Sequence, residues 1–409
     1  MIRTILILVA LIGFSVNSLG QARYNFLYEA GPGSQFGAEN ITSIHYLWKS
    51  LDDRLVPTNP FDSSFTKNKN GNRLFRFGKL FLIDYPITFI LPSIQHERFG
   101  YGSRVKEFGG EIGQVRITLP PPFQVELPSI SFSENNFTAQ QRIVTDAAGS
   151  EANTILANVL RRNMLLEEQL DYRSSFLYLY ANNDLSGYTL FAASEGSDIS
   201  SYVNNINAFY GLEALKLSKI QTYSLFSIIT DPINAAAFYG IFKGYIWDGR
   251  RAVKAPLINL TENLKLLPKF KFNLAPYGPE LTFKNYFKRR NGLYSIELTH
   301  SDGTFPGITA WRIGLEGWNL MTTNTWSFNF FVQVWNQPSI EYRDDGNLKN
   351  KEGNGAGIAF SAFKDVITMK ENKLGLMLRV GYKSAGFVPG EKLESGMILQ
   401  AGVSLQVSQ

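Results

Sequence analysis

The C-terminal third of this chain alternates residue by residue, and that constrains its fold more than any other feature. In Thr325–Trp335, TWSFNFFVQVW, the side chains of Trp326, Phe328, Phe330, Val332 and Val334 share one face, and Ser327, Asn329, Phe331, Gln333 and Trp335 share the other. In Leu374–Lys383 the residues Leu374, Leu376, Leu378, Val380 and Tyr382 alternate with Gly375, Met377, Arg379, Gly381 and Lys383. The last segment sets Met397, Leu399, Ala401, Val403, Leu405 and Val407 against Gly396, Ile398, Gln400, Gly402, Ser404 and Gln406. Successive side chains of a strand point to opposite faces, so a period of two reads as strand. Weaker versions occupy Lys269–Pro276, Glu280–Lys288, Leu293–His300, Thr309–Gly317 and Ala356–Phe363. Turn-forming runs separate several of them: KRRNG, HSDGTFPG, DDGNLKNKEGNG and SAGFVPGEK. The pattern predicts about eight antiparallel strands, most near the 9–11 residues a tilted strand needs to cross a bilayer.

Two architectures fit such strands. In a soluble sandwich the apolar face is the core. In a membrane barrel the apolar face meets lipid, and the inner face is polar or small. Here the second face is rich in Gly, Ser, Gln and Arg, which favours the barrel; a soluble sandwich or lipocalin-like barrel is the competing form. An aromatic content of 14% suits interfacial girdles. At the N-terminus Arg3 precedes ILILVALIGF and then SVNSLGQA, the pattern of a secretory signal peptide with cleavage after Gly20 or Ala22. Together these place the chain in the cell outer membrane, with membrane lipid and other envelope proteins as its partners. The chain has no Cys, which excludes disulfides, thiolate metal sites and Cys nucleophiles. Its charges, 40 Lys+Arg against 35 Asp+Glu, are spread rather than blocked, so no nucleic-acid partner is expected.

The middle of the chain reads as helical. In Ala139–Arg173, Ile155, Leu156, Val159, Leu160 and Met164 fall at helical spacing. Ser201–Ser218 and Thr222–Trp247 read as helices too, the latter cut by Asp231-Pro232 because Pro breaks the hydrogen-bond ladder. Leu80–Ile94 is equally apolar, with Asp84, Pro86 and Pro92 inside. These segments are expected to be buried helices, packed on each other or against the barrel; a polytopic protein with broken spans is the other form. Phe123–Phe132 reads as extended. Asp344-Asp345-Gly346-Asn347 reads as a hairpin tip rather than a calcium loop, since no Glu follows at the closing position.

One motif carries chemistry. QHERFGYGSR, Gln95–Arg104, opens with His96-Glu97 and continues to Gly100 and Tyr101. In HExxH two His residues one helical turn apart bind zinc and the Glu is the general base. With one residue inserted, His96, Glu97 and Gly100 resemble the HExxGH motif of zinc peptidases of the dipeptidyl peptidase III type. The likeness spans some 60 residues from about 95 to 155, and Tyr101 stands where the second zinc His belongs. What the resemblance implies is a zincin-like region with His96 and Glu151 as metal ligands, Asp146 or Glu107 as substitutes for the latter, and Glu97 as catalytic base. A phenol is a poor replacement ligand, with its reference pKa near 10. His45 and His300 are the only other histidines. The competing role for His96 and Glu97 is structural, capping the helix or pairing with Arg98, Arg104 or Lys106.

The sequence therefore predicts an α+β protein. Residues 1–22 are a signal peptide, 23–262 a mainly helical, zincin-like region, and 263–409 an antiparallel, roughly eight-stranded membrane β-barrel-like region. The expected function is that of an outer-membrane protein in structure, assembly or binding, its peptidase motif degenerate and no cofactor needed. The alternative is a membrane-associated zinc metallopeptidase using His96, Glu97 and Glu151.

Overall fold

A strand opens the described chain and pairs with the strand that closes it. This is seen in a computed structural model that describes residues 23–29, 31, 33–63, 65, 67–113, 116–118, 124–126, 130–131, 137–320, 323, 325–344, 346–369 and 372–406. The expected signal peptide, 1–22, lies outside the described residues. Strand β1 (Arg23–Tyr28) is followed, after the helical region, by β2 (Ile258–Thr261), β3 (Leu264–Ala275), β4 (Gly278–Arg289), β5 (Gly292–Ser301) and β6 (Trp311–Leu320). Then come β7 (Trp326–Asp344), β8 (Asn347–Met369), β9 (Asn372–Lys383) and β10 (Gly396–Gln406). They form one ten-stranded sheet in the order β1-β10-β9-β8-β7-β6-β5-β4-β3-β2. Every pairing is antiparallel.

Three features differ from the sequence reading. The sheet has more strands than expected, because β2 adds a short edge and β1 comes from the region read as helical. A boundary at 262/263 therefore cuts through the sheet, with β1 and β2 on its N-terminal side. Next, the run DDGNLKNKEGNG turns only between Asp344 and Asn347; the rest is strand, and β7 and β8 extend to 19 and 23 residues. Last, β1 and β2 are the two edges and do not pair with each other, so hydrogen bonds do not close the sheet into a barrel.

One long helix lies in the curl of the sheet, whereas the helix Leu217–Ile229 covers Phe270 and Phe272 on the outer side of β3. Helix α1 (Ser34–Leu55) packs on β1. A nearly continuous helical path then runs through α2 (Lys69–Lys79), a π-helical turn at Leu80–Asp84, α3 (Tyr85–Ile94), a second π-helical segment at Gln95–Tyr101, and α4 (Gly102–Glu107). Helix α5 (Ala139–Glu167) starts at a capping box in which the Thr138 hydroxyl accepts from the Gln141 amide and the Gln141 side chain returns the bond. Of its 29 residues 22 are buried, on all sides. It touches β3, β5 and β7, alternate strands that reach one helix only if the sheet curls round it. Helices α6 (Tyr172–Asn182), α7 (Asp184–Phe191), α8 (Asp198–Tyr210), α9 (Leu217–Ile229) and α10 (Pro232–Tyr239) follow, the last running on as a π-helical segment to Trp247. The break expected at Asp231-Pro232 is present: Asp231 caps α10 through the Ile233 amide, and the paths on either side bend by 59°. Among the described residues no single helix is long and apolar enough to cross a membrane; this bent pair passes that test together.

The burial of the strands is inverted relative to a soluble sheet. The face bearing Lys269, Glu280, Thr282, Lys284, Arg312, Gln333 and Gln400 is buried. The face bearing Phe283, Leu298, Phe360, Leu378 and Leu399 is exposed, with Phe360 at 56% and Leu399 at 64%. Register aligns the outer residues across strands, as in Phe330↔Phe360↔Val380↔Leu399. Small inner residues make room for large ones: a Cβ on Gly355 would stand 2.2 Å from the ring of its cross-strand partner Trp335. The helices expected to be wholly buried also carry exposed apolar faces, including Leu82 at 79%, Ile229 at 78% and Phe242 at 53%.

Candidate functional site

The motif segment lies against α5, and glycines set the distance. The second π-helical segment, Gln95–Tyr101, bonds i to i+5 and carries both His96 and Gly100 against α5. Gly100 faces the α5 backbone: a Cβ there would stand 2.5 Å from the Ala148 carbonyl oxygen. On α5, Gly149 answers, since its Cβ would stand 2.1 Å from His96 Nε2. The buried imidazole thus lies directly on the helix backbone, stacked against Tyr188 with ring centroids 5.5 Å apart.

Both ring nitrogens face carboxylates. Nδ1 is 3.2 Å from Asp184 Oδ2, and Nε2 is 3.5 Å from Asp198 Oδ2. The Ser150 hydroxyl donates to the same Asp184 oxygen at 2.8 Å. Burial works against the charged imidazole, but Asp184, Asp198 and Glu97 outweigh it and hold the ring's pKa well above its ordinary value. Asp146, one turn before Gly149, bonds Asn205 at 2.7 Å. Burial, opposed by that bond and reinforced by Asp198, pushes its carboxyl up to about 7. Burial and the negative field of Asp198, Asp146 and Glu97 push the Tyr101 phenol up to about 12. The group binds a proton tightly. It is not a nucleophilic triad, because Ser150 bonds the aspartate and not the imidazole.

The other proposed ligand is elsewhere. Two helical positions turn through about 200°, so Glu151 leaves α5 on nearly the opposite side from Gly149. Its Oε1 accepts from Arg104 Nη2 at 2.9 Å and from the Gly390 amide at 2.6 Å. Glu107 joins it, accepting from Arg104 Nη1 at 2.7 Å and from the Leu393 amide at 2.5 Å. Arg104 Nη1 also donates to the Glu391 carbonyl at 2.9 Å. Two carboxylates and one guanidinium thereby tie α4 and α5 to the β9–β10 loop, 384–395. His45 lies against Ser174, its ring pushed down to about 3 by burial and by Lys49, and His300 is at the exposed end of β5. Among the described residues no three His, Asp or Glu side chains form a group that could hold a metal. The donors present do not fit a zinc ion: His96 has both nitrogens on carboxylates, and Glu151 is bonded to Arg104.

Sequence reasoning missed Asp184 and Asp198 as partners of His96. Neither stands in a motif; only their positions in first turns of helices mark them. It also missed a chamber of about 150 Å³ between α5 and the inner face of the sheet. Ile155, Val159 and Arg162 of α5 line it opposite Lys271, Lys284, Glu297, Phe331, Phe363 and Met377 of the strands.

Comparison of the chain with protein-family models, with curated proteins and with solved structures found no match.

Proposed function

We propose that this chain is an outer-membrane protein, a barrel-like sheet wrapped round its own helices, which acts in structure, assembly or binding. The observation that carries this reading is the inverted burial of the strands. Water drives apolar surface inward, with roughly 25 cal/mol gained per Å² buried. A sheet that hides Lys, Glu, Arg and Gln while presenting Phe, Leu and Val in register is matched to a solvent of hydrocarbon. Scattered exposed apolar residues are ordinary, but a continuous belt marks a membrane or partner surface. Helices α2, α9 and α10 also expose Leu, Ile and Phe side chains that suit lipid, and α9 packs on β3. With the lumen filled by α5, an open pore is not part of this reading.

Within it the zincin-like segment serves as scaffold. The π-helical geometry at Gln95–Tyr101 is the form an inserted residue takes in a helix, which supports the likeness to an HExxGH motif. The alternative, a zinc peptidase on His96, Glu97 and Glu151, draws less support, because Glu151 and His96 lie on opposite sides of α5.

The test is fractionation of the exporting cell, followed by electrophoresis of unheated and boiled samples. The reading expects outer-membrane recovery, extraction only by detergent and a heat-dependent shift in migration. Protein that stays monomeric and soluble without detergent overturns it.

A further inference from the structure

We propose that the inner chamber is a binding site for a small monocarboxylate, centred on the Lys271 ammonium. On the inner face Lys269 and Lys271 are two residues apart on β3, and Lys284 on β4 stands directly opposite Lys269. Like charges in such positions destabilise a sheet unless each has a counter-ion. Lys269 has Asp231. Lys284 has Glu316 at 2.6 Å and Glu297 at 3.2 Å. Lys271, equally buried, has neither a hydrogen bond nor an ion pair among the described residues, and the one carboxylate that acts on it, Glu297, is held by Lys284.

The neighbourhood carries a surplus to match. Lys269, Lys271, Lys284, Arg161 and Arg312 meet four carboxylates, Asp231, Glu280, Glu297 and Glu316, while Arg162 and Arg379 on the chamber wall are offset by Glu39 and Glu391. Arg161 reaches Asp231 only at 4.0 Å and spends its donors on Tyr178, Asn158 and Asn182. One negative charge would complete the set. A buried charge that shares its one carboxylate with a second lysine is poorly compensated, so the site favours an anion over water alone.

The walls decide what kind of anion. Ile155 and Val159 from α5 and Phe331, Phe363 and Met377 from the strands give the chamber hydrocarbon wall. Its volume of about 150 Å³ matches cavities that admit a benzene-sized molecule. A carboxylate on a short or aromatic hydrocarbon satisfies both halves: the head against Lys271, the body against the apolar wall.

Equilibrium dialysis of the full-length purified protein against radiolabelled benzoate tests this. The proposal expects one benzoate per chain, at least tenfold weaker binding in Lys271→Met, and unchanged binding in the exposed control Lys254→Met. No saturable binding up to millimolar benzoate, or equal binding in Lys271→Met, overturns it. If Lys271→Met fails to fold, NMR of the wild type labelled at lysine Cε gives an independent answer. A benzoate-dependent shift of one buried lysine signal supports the site, and the absence of any such shift overturns it.

Discussion

The α-carbon of Gly149 lies bare against the imidazole of His96, so close that a methyl group would stand 2.1 Å from Nε2. Replacing Gly149 by Ala forces the ring off the helix and away from Asp184 and Asp198. Overpacking of this kind costs about 1–3 kcal/mol. The cost should fall sharply when His96 is itself Ala, because the clashing atoms are gone. A double-mutant cycle by denaturant unfolding measures this, and additive losses would refute the contact.

Arg104 is expected to matter more for stability than His96. Arg104→Met leaves Glu107 and Glu151 buried side by side without their counter-ion. Breaking a buried pair by removing one partner costs about 3–5 kcal/mol. Glu151→Gln, which keeps the shape and one acceptor, should cost less. The midpoint of thermal unfolding compares them; a loss below about 1 kcal/mol in Arg104→Met would show that the tie to the β9–β10 loop contributes little.

The contributions of His96 and Asp146 to stability should both decline as pH rises, in two overlapping windows. The folded His96 holds its proton above the unfolded value of about 6.5. Its contribution is fully present below that pH and is lost as pH climbs through the folded pKa. Asp146 titrates near 7 when folded against about 3.8 when unfolded, so between those values the folded chain binds the extra proton and stability falls with rising pH. Urea unfolding from pH 4 to 9 reads both. Relative to the wild type, His96→Gln should flatten the upper part and Asp146→Asn the lower; a variant profile that runs parallel to the wild type would contradict that residue's assignment.

The outer face can be tested with single charges. Leu378 sits mid-strand on β9, half exposed among Leu376, Val380 and Tyr382. On a lipid-facing strand Leu378→Lys should cost about 2–4 kcal/mol near the bilayer centre. Refolding into lipid vesicles measures it. If the same change leaves folding intact and raises solubility in plain buffer, the face meets water.

Much of the sheet was legible because strand periodicity is local. The two faces of Leu374–Lys383 separate by exposure as the alternation implies, with Met377 and Lys383 inside and Leu376 and Leu378 outside. The break at Asp231-Pro232 was legible for the same reason, since Pro removes a donor wherever it stands. The partners of His96 were not. Asp184 and Asp198 lie 88 and 102 residues away and reach the ring only because α5, α7 and α8 converge on one spot.

By itself, then, the sequence determined which residues alternate, where helices begin and break, and that Gly100 and Tyr101, not a second histidine, follow His96-Glu97. The tertiary structure alone decided that β1 pairs with β10, that the sheet stays open between β1 and β2, and that Glu151 faces Arg104 instead of His96. The physical reason is range. Periodicity and capping are written within a few residues, whereas a side chain's partner depends on the rotation of its helix and on which distant segment packs there.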